Sequence, residues 1–202
     1  AIMAEGVFSN LHESLRKALS QRQWSPTPVQ HATQEDIANG LDRLVVAPTG
    51  SGKTMAAVLP LLDRCLREEW SGMSILYITP LRALNRDVDR RLEEIMSSVG
   101  LKLGLRHGDT SQAERNKHTR NPPNLMITTP ETFQLMFTGS KLRELLRTVK
   151  AVVIDEVHEM ADGERGWQLS VGISRLENFK GSSVQKIGLS ATVGNPHQVA
   201  KW

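Results

Sequence analysis

The sequence predicts an α/β domain built on a mostly parallel, twisted sheet with helices on both faces. Short apolar runs typical of buried strands alternate with segments of helical periodicity along the chain. Polar strings rich in glycine, proline or acidic residues follow several of these runs, for example after residues 44–46 and 151–154. In sheets of this kind, ligands bind outside the carboxyl ends of the strands. The pattern therefore predicts one functional edge.

The composition allows one ordinary α/β domain with a buried core in 202 residues. A formal net charge of +3 permits a polyanionic partner without requiring one. The single cysteine, Cys65, excludes an internal disulfide and fits a reducing, cytoplasmic location, and its apolar surroundings favour packing. We expect no membrane partner, because no apolar run approaches the ~20 residues that span a bilayer. We also expect a monomer. Residues 1–7 are expected to be a tag remnant and a disordered start, and residues 8–202 the domain.

The expected strands and helices follow the apolar pattern. Strands are predicted at 44–46, 74–79, 103–106, 125–128, 151–154 and 185–189. Helices are predicted at 11–19, 29–38, 53–69, 84–99, 131–137, 141–146 and 167–179, with another beginning near Pro196. Pro60 should perturb the third helix, because proline lacks the backbone donor that a helix needs.

The string after the first strand is Ala47-Pro48-Thr49-Gly50-Ser51-Gly52-Lys53-Thr54, which matches the phosphate-loop pattern apart from its first alanine. Glycines there let backbone N–H groups turn toward a phosphate, at the positive end of the following helix. Lys53 is expected to bind the β- and γ-phosphates, and Thr54 to bind Mg²⁺. The expected cofactor contacts within the string are Thr49, Gly50, Ser51, Gly52, Lys53 and Thr54. The alternative is a glycine-rich turn that binds no ligand.

A second string, Asp155-Glu156-Val157-His158, ends the strand at 151–154. We expect Asp155 to hold Mg²⁺ through water, and Glu156 to act as general base or water-positioner in attack on the γ-phosphate. With Lys53 these two carboxylates form the expected catalytic set. His158 is either a solvent-facing helix residue or a relay of nucleotide state. Alone, the acidic pair would indicate an exposed turn.

Two weaker signals lie on either side of these strings. Gln30 follows a double-proline turn, and its amide could pair with adenine and so select ATP over GTP, although a lone glutamine is usually a solvated residue. Phe8, Arg22 and Trp24 could stack on a base, with packing favoured for the two aromatics. Ser190-Ala191-Thr192 follows the last strand, where its hydroxyls could hydrogen-bond to the acidic pair one strand away.

Three further strings at strand ends suggest a track for one polymer strand. Residues 79–85 and 128–131 begin helices whose N–H groups and hydroxyls can bind phosphates, and residues 106–110 form a turn with donors. Because aromatic residues are few, backbone contacts should dominate and binding should depend strongly on salt. Each string alone would indicate a capped helix or a tight turn. The expected nucleic-acid contacts are Pro80, Arg82, Gly108, Asp109, Thr129 and Pro130.

Six strings, in their order along the chain, resemble those of the first RecA-like domain of superfamily 2 helicases, and the resemblance begins at about Phe8. They are TPVQ, APTGSGKT, TPLRALNRD, TTPE, DEVH and SAT. The runs RHGDT, PPNLMITTPETF and IGLSATVGNP are most similar to the Lhr (large helicase-related) group, near the Ski2-like helicases. This resemblance implies ATP-driven 3′ to 5′ translocation on single-stranded or forked DNA or RNA, with ATP and Mg²⁺ as cofactors. It places His158, Ser190 and Thr192 in coupling. His158 also argues against the DEAD-box group proper, which has Asp there.

The resemblance further implies a second RecA-like domain in cis, which carries an arginine that reaches the γ-phosphate. No such segment follows residues 190–192, so we expect the chain to be truncated before it. The 202 residues alone should then bind ATP weakly, hydrolyse little of it and unwind no duplex. The alternatives are a double-strand DNA translocase or restriction-type motor, and a nucleic-acid-binding module without turnover.

Overall fold

Six strands of the computed structural model form one sheet in which every neighbouring pair is parallel. The structure describes residues 7–161 and 163–191. The strands are β1 (Arg43–Val46), β2 (Ile75–Ile78), β3 (Leu103–Arg106), β4 (Leu125–Thr128), β5 (Ala151–Ile154) and β6 (Gln185–Ser190). Their order across the sheet is β1-β6-β5-β2-β4-β3. The predicted α/β class with a parallel sheet is therefore confirmed.

Helices connect the strands and lie close to their predicted positions. Within the described ranges they are α1 (Glu13–Gln21), α2 (Pro28–Ala38), α3 (Lys53–Arg67), α4 (Arg86–Ser98), α5 (Gln112–Arg120), α6 (Pro130–Leu135), α7 (Ser140–Leu145), α8 (Val157–Met160) and α9 (Glu164–Lys180). Short 3-10 helices occupy Val7–Asn10, Leu81–Ala83 and Leu146–Thr148. Helix α3 continues through Pro60 without a break in its assignment. The helix predicted near Pro196 lies outside the described residues.

The sheet is covered on both faces by apolar clusters. Side chains of a strand point alternately to opposite faces, so Ile75 and Tyr77 of β2 join one cluster and Leu76 and Ile78 join the other. The first cluster packs the sheet against α1 to α4, and the second packs it against α6 to α9. Burial on both faces explains why β2, β4 and β5 are almost entirely apolar in sequence.

Helix α5 is the longer of two described α-helices that the sequence does not predict, the other being the one-turn helix α8. Of the nine residues of α5, His118 alone is buried, so the apolar stripe that signals a packed helix is missing. The Ser111 hydroxyl accepts a hydrogen bond from the Glu114 N–H at 3.2 Å and caps the start of the helix. In the sequence, the capping residue Ser111 was therefore the available signal for this helix, and hydrophobic periodicity was not.

Three smaller expectations can be compared with the structure. Val7 opens a 3-10 helix and residues 1–6 lie outside the described part, so the expected tag remnant and disordered start stay a prediction. Cys65 is buried in α3, where burial raises the pKa of its thiol to about 11 and keeps it protonated. This agrees with a packing role. None of the helices in the described residues is long and apolar enough to cross a membrane.

Candidate active site

The strings singled out from the sequence lie along one edge of the sheet. Because all six strands are parallel, their carboxyl ends point the same way. Since β6 lies between β1 and β5, the phosphate-loop string, residues 190–191 and the acidic pair are neighbours. The strings after β2, β4 and β3 continue along the edge in that order. The order of the strands thus groups the expected nucleotide contacts on one half of the edge and most of the expected polymer contacts on the other.

The phosphate-loop string has the backbone that its glycines predict. Gly50 and Gly52 have φ values of +79° and +85°, in the left-handed region that favours glycine. Gly52 directly precedes α3, and a Cβ on it would lie 2.8 Å from Nε2 of Gln30. A side chain at this position would therefore displace the Gln30 amide, and the positive φ disfavours it further. The loop and the N-terminus of α3 together fit a phosphate group.

The ammonium group of Lys53 joins the ends of two strands. Its Nζ donates hydrogen bonds to the carbonyl oxygen of Ala47 at 2.8 Å and to that of Ser190 at 3.1 Å. One carbonyl belongs to the phosphate loop and the other to the last residue of β6. The charge is thus already held at the loop, and a bound phosphate would compete with these two oxygens for it.

The carboxylate of Asp155 is held from three sides. Its Oδ2 accepts from the Tyr77 hydroxyl at 2.8 Å and from the Thr79 hydroxyl at 3.4 Å, and its Oδ1 accepts from the Glu156 N–H at 2.9 Å. The Tyr77 and Thr54 hydroxyl oxygens are 3.3 Å apart. Hydroxyl and carboxylate oxygens that converge in this way fit Mg²⁺, which prefers oxygen ligands. Tyr77 itself was missed from the sequence.

Burial raises the pKa of both Asp155 and Tyr77. It raises the pKa of Asp155 above its ordinary value, although the hydrogen bonds from Tyr77 and the Glu156 N–H oppose that shift. Burial also raises the pKa of Tyr77 well above its ordinary value, and the charge of Asp155 adds to this effect. The phenol consequently remains a hydrogen-bond donor at neutral pH.

His158 connects the acidic pair to the end of β6. Its Nε2 lies 3.3 Å from a carboxylate oxygen of Glu156, and its Nδ1 accepts from the Ala191 N–H at 3.2 Å. Since Nδ1 accepts, a neutral ring carries its proton on Nε2, the nitrogen that lies near Glu156. His158 is therefore no solvent-facing residue: its side chain is 18% exposed. This contact supports the predicted relay, which stays a prediction.

The expected bond from Ser190 to the acidic pair is wrong. The Ser190 hydroxyl is buried and donates to the carbonyl oxygen of Ala191 at 2.9 Å. The link between the two segments runs instead through the Ala191 backbone and His158. Thr192 lies outside the described residues, so its role stays a prediction.

The Gln30 side chain forms a hydrogen bond with the phosphate loop. Its Oε1 accepts from the Thr27 N–H at 3.0 Å, and its Nε2 donates to the carbonyl oxygen of Gly52 at 3.2 Å. The side chain is buried, so contact with adenine would require both bonds to be exchanged, and adenine recognition stays a prediction. The three residues considered for base stacking also contact the protein itself. Phe8 and Trp24 pack against the core, and Arg22 donates hydrogen bonds to backbone carbonyl oxygens.

The expected polymer contacts differ in how free their side chains are. Arg82 is largely exposed and forms an ion pair with Glu159 of α8. Thr129 is buried, and its hydroxyl caps α6 by accepting from the Thr132 N–H at 3.2 Å. A ligand would therefore meet the backbone at 129–130 rather than the threonine hydroxyl. The nucleic-acid role of all these residues stays a prediction.

One arginine of α5 holds the turn at 107–110. Arg115 donates from Nε to the carbonyl oxygen of Thr110 at 2.9 Å, and from Nη2 to those of His107 at 3.0 Å and Gly108 at 3.2 Å. The turn contains Gly108 and Asp109, which the sequence predicts as polymer contacts. Arg115 was missed because its helix was missed. Its guanidinium fixes the shape of the surface that a backbone phosphate would meet.

We expect Arg115→Gln to weaken binding of single-stranded nucleic acid about tenfold, because the turn loses three hydrogen bonds. Lys117→Gln is the matched control, since it removes the same charge from the same exposed helix and makes none of these three bonds. Fluorescence anisotropy with a labelled oligonucleotide at fixed salt measures both variants. Equal losses in the two variants would show that charge, and not the shape of the turn, matters.

The comparisons with known proteins cover the same strings. The profile of the DEAD/DEAH box helicase family matches residues 27–199. The Lhr helicase/uracil glycosylase of Escherichia coli (strain K12) is 44% identical over 198 residues, which is 88% of this chain and 13% of that protein. The ATP-dependent helicase Lhr-Core of Methanothermobacter thermautotrophicus is 38% identical over 192 residues, 87% of this chain and 22% of that protein. The chain thus spans less than a quarter of either relative.

Solved structures share the fold. The Mycobacterium smegmatis helicase Lhr bound to ssDNA and AMP-PNP has a TM-score of 0.87 at 36% identity, over 97% of this chain and 27% of that one. The DEAD-box helicase Mss116 bound to ssRNA and UDP-BeF has a TM-score of 0.82 at 23% identity, over 98% of this chain and 42% of that one. At that identity the second likeness concerns the fold alone. The predicted RecA-like fold is confirmed.

Proposed function

Since this chain belongs to the DEAD/DEAH box helicase family and is a helicase motor domain of the Lhr type, we propose that it binds ATP with Mg²⁺ and drives 3′ to 5′ translocation in the whole protein. One observation supports the assignment of an ATP site most directly. The Thr54 hydroxyl at the start of α3 and the Asp155 carboxylate at the end of β5 meet at Tyr77, beside the phosphate loop. Oxygen donors from two elements converge there, where the terminal phosphates would lie.

In this proposal the chain's own groups bind and orient the nucleotide. The loop N–H groups and Lys53 bind the phosphates, and Thr54 and Asp155 hold the metal. Mg²⁺, when bound, neutralises charge on the β- and γ-phosphates. One oxygen of Glu156 lies 3.3 Å from Nε2 of His158, and the carboxylate would accept the proton of the attacking water.

For the polymer we propose single-stranded or forked nucleic acid, bound through its backbone along the strand ends of β2, β4 and β3. The Lhr neighbour bound to ssDNA makes DNA the first substrate to test. A phosphate bound at Arg82 would compete with Glu159, which lies in the short helix after the acidic pair. This competition supports a link between the polymer track and the nucleotide site.

We also propose that residues 8–202 form the first of two RecA-like domains, in a cytoplasmic monomer. The second domain would supply the arginine that reaches the γ-phosphate and the other half of the polymer track. Relatives four or more times as long leave room for such a domain. Strand separation on duplexes with a 3′ or a 5′ tail, measured for the whole protein, tests the direction.

The central experiment is a titration with a fluorescent ATP analogue in the presence of Mg²⁺. We expect Lys53→Ala to weaken binding about 10–100-fold, because the phosphates lose a charge-assisted hydrogen bond. Lys141→Ala removes an exposed lysine from α7, on the opposite face of the sheet, and should bind like the wild type. Thermal unfolding checks that the loss of the two Lys53 bonds has not unfolded the chain. Absence of nucleotide binding by the wild type would refute the proposed function.

A further inference from the structure

Tyr77 is the chain's only tyrosine and lies outside every string singled out from the sequence. It is 4% exposed on β2, on the sheet face that packs against α3. Its hydroxyl nonetheless reaches the cavity of about 410 Å³ that Lys53, Thr54, Asp155 and Glu156 also line. The ring is thus fixed in the core while its polar end faces the candidate site.

The hydrogen bonds at Tyr77 have one consistent direction. A carboxylate only accepts, so the phenol donates its single proton to Oδ2 of Asp155 at 2.8 Å. The Thr54 hydroxyl, 3.3 Å away, must then donate to the phenol oxygen. Thr54 consequently turns its proton toward Tyr77 and keeps its lone pairs for a metal.

The same chain of bonds leaves Asp155 able to serve a metal or its bound water. Each carboxylate oxygen has about two acceptor sites. The Tyr77 hydroxyl and, at 3.4 Å, the Thr79 hydroxyl both donate to Oδ2, whereas the Glu156 N–H occupies one site on Oδ1 and leaves the other open. The protein therefore orients the carboxylate and still leaves it acceptor capacity for a metal or its bound water.

We propose that Tyr77 is a positioning residue for the magnesium of the bound nucleotide, which sets Thr54 and Asp155 at one spacing before the metal arrives. The inference rests on the proposed binding of ATP with Mg²⁺. Without Tyr77, the two groups lie on different segments, the start of α3 and the residue after β5, and share no hydrogen-bond partner within the part of the chain that the structure describes. Partners that orient metal ligands typically change metal affinity about 10–100-fold when they are removed.

The first test is a Mg²⁺ titration of ATP-analogue binding for Tyr77→Phe, which keeps the ring and removes the hydroxyl. We expect half-saturation to need about tenfold more Mg²⁺, with unchanged binding in excess EDTA. Ser74→Ala is the control: it removes a buried hydroxyl just before β2, at the opposite end of the strand from the site, where that hydroxyl donates to the Gly72 carbonyl oxygen at 3.2 Å. A purely structural role for Tyr77 would lower stability in both variants and shift the Mg²⁺ requirement in neither.

The second test uses the single tyrosine as a probe. Incorporation of 3-fluorotyrosine gives one ¹⁹F resonance, because the chain holds one tyrosine. We expect the ATP analogue with Mg²⁺ to move this resonance further than the same analogue in EDTA. This readout is independent of hydrolysis.

The outcomes separate the two levels of the proposal. A wild-type chain that binds no nucleotide with Mg²⁺ would overturn the proposed function and this inference together. The inference alone would be overturned if the wild type binds nucleotide normally, Tyr77→Phe has the same Mg²⁺ requirement, and Mg²⁺ does not move the ¹⁹F resonance.

Discussion

Glu156→Gln is expected to slow ATP hydrolysis about 10²–10⁴-fold while nucleotide binding stays intact. Glutamine matches glutamate in size, and its amide oxygen can keep the contact with His158, 3.3 Å away in the wild type. It cannot accept the proton of the attacking water. The φ of +54° at this position is equally unfavourable for either residue, so the change isolates the carboxylate.

Single-turnover phosphate release, with the whole protein in excess over ATP and with single-stranded nucleic acid present, measures this effect. Glu164→Gln is the matched control, because that carboxylate is exposed and bonds to Gln168 of its own helix at 3.1 Å. Hydrolysis at the wild-type rate in Glu156→Gln would show that the base has been assigned to the wrong residue. Loss of nucleotide binding as well would mean that the charge of Glu156 shapes the site itself.

The 202 residues alone are expected to hydrolyse ATP about 10³–10⁵-fold more slowly than the whole protein, the range that an added arginine is worth in related phosphoryl-transfer enzymes. The transition state spreads negative charge over three oxygens of the γ-phosphate. Lys53 supplies one positive charge from the phosphate loop, and part of its bonding capacity holds two backbone carbonyls. The proposed second RecA-like domain would supply the missing charge.

Steady-state hydrolysis of both proteins, with and without single-stranded DNA, tests this expectation. The 202 residues must still bind the ATP analogue, so that a low rate reports catalysis and not misfolding. Similar rates for the two proteins would remove the need for an arginine from elsewhere. Measurable strand separation by the 202 residues alone would refute the expected inactivity directly.

Local spacing explains what could be predicted from the sequence. The two glycines and the lysine of the phosphate loop lie within four residues, so their joint geometry follows from the chain itself. The Asp155-Glu156 pair likewise needs only the end of β5 to place it at the edge of the sheet. These strings were found because the chemistry and its positioning share one short segment.

One of the contacts that were missed joins distant segments. Tyr77 and Asp155 are 78 positions apart and meet because β2 and β5 are neighbours, which depends on strand order. A tyrosine in an apolar strand is otherwise an ordinary strand former. Arg115 was missed for a different reason, since α5 has no apolar stripe. Two bonds were missed although they are local, since the Ser190 hydroxyl donates to the next residue and Gln30 accepts from the Thr27 N–H three residues before it.

The place of β1 in the sheet has a consequence for synthesis of the chain. Among the described strands, β1 pairs with β6 alone, and the Lys53 bond to Ser190 spans 137 positions. At about 5–20 residues per second, a ribosome needs on the order of ten seconds to make the intervening segment. During that time the strand before the phosphate loop has no neighbour to pair with. The phosphate loop is translated well before the acidic pair, yet it is consequently among the last segments to be fixed in the native fold.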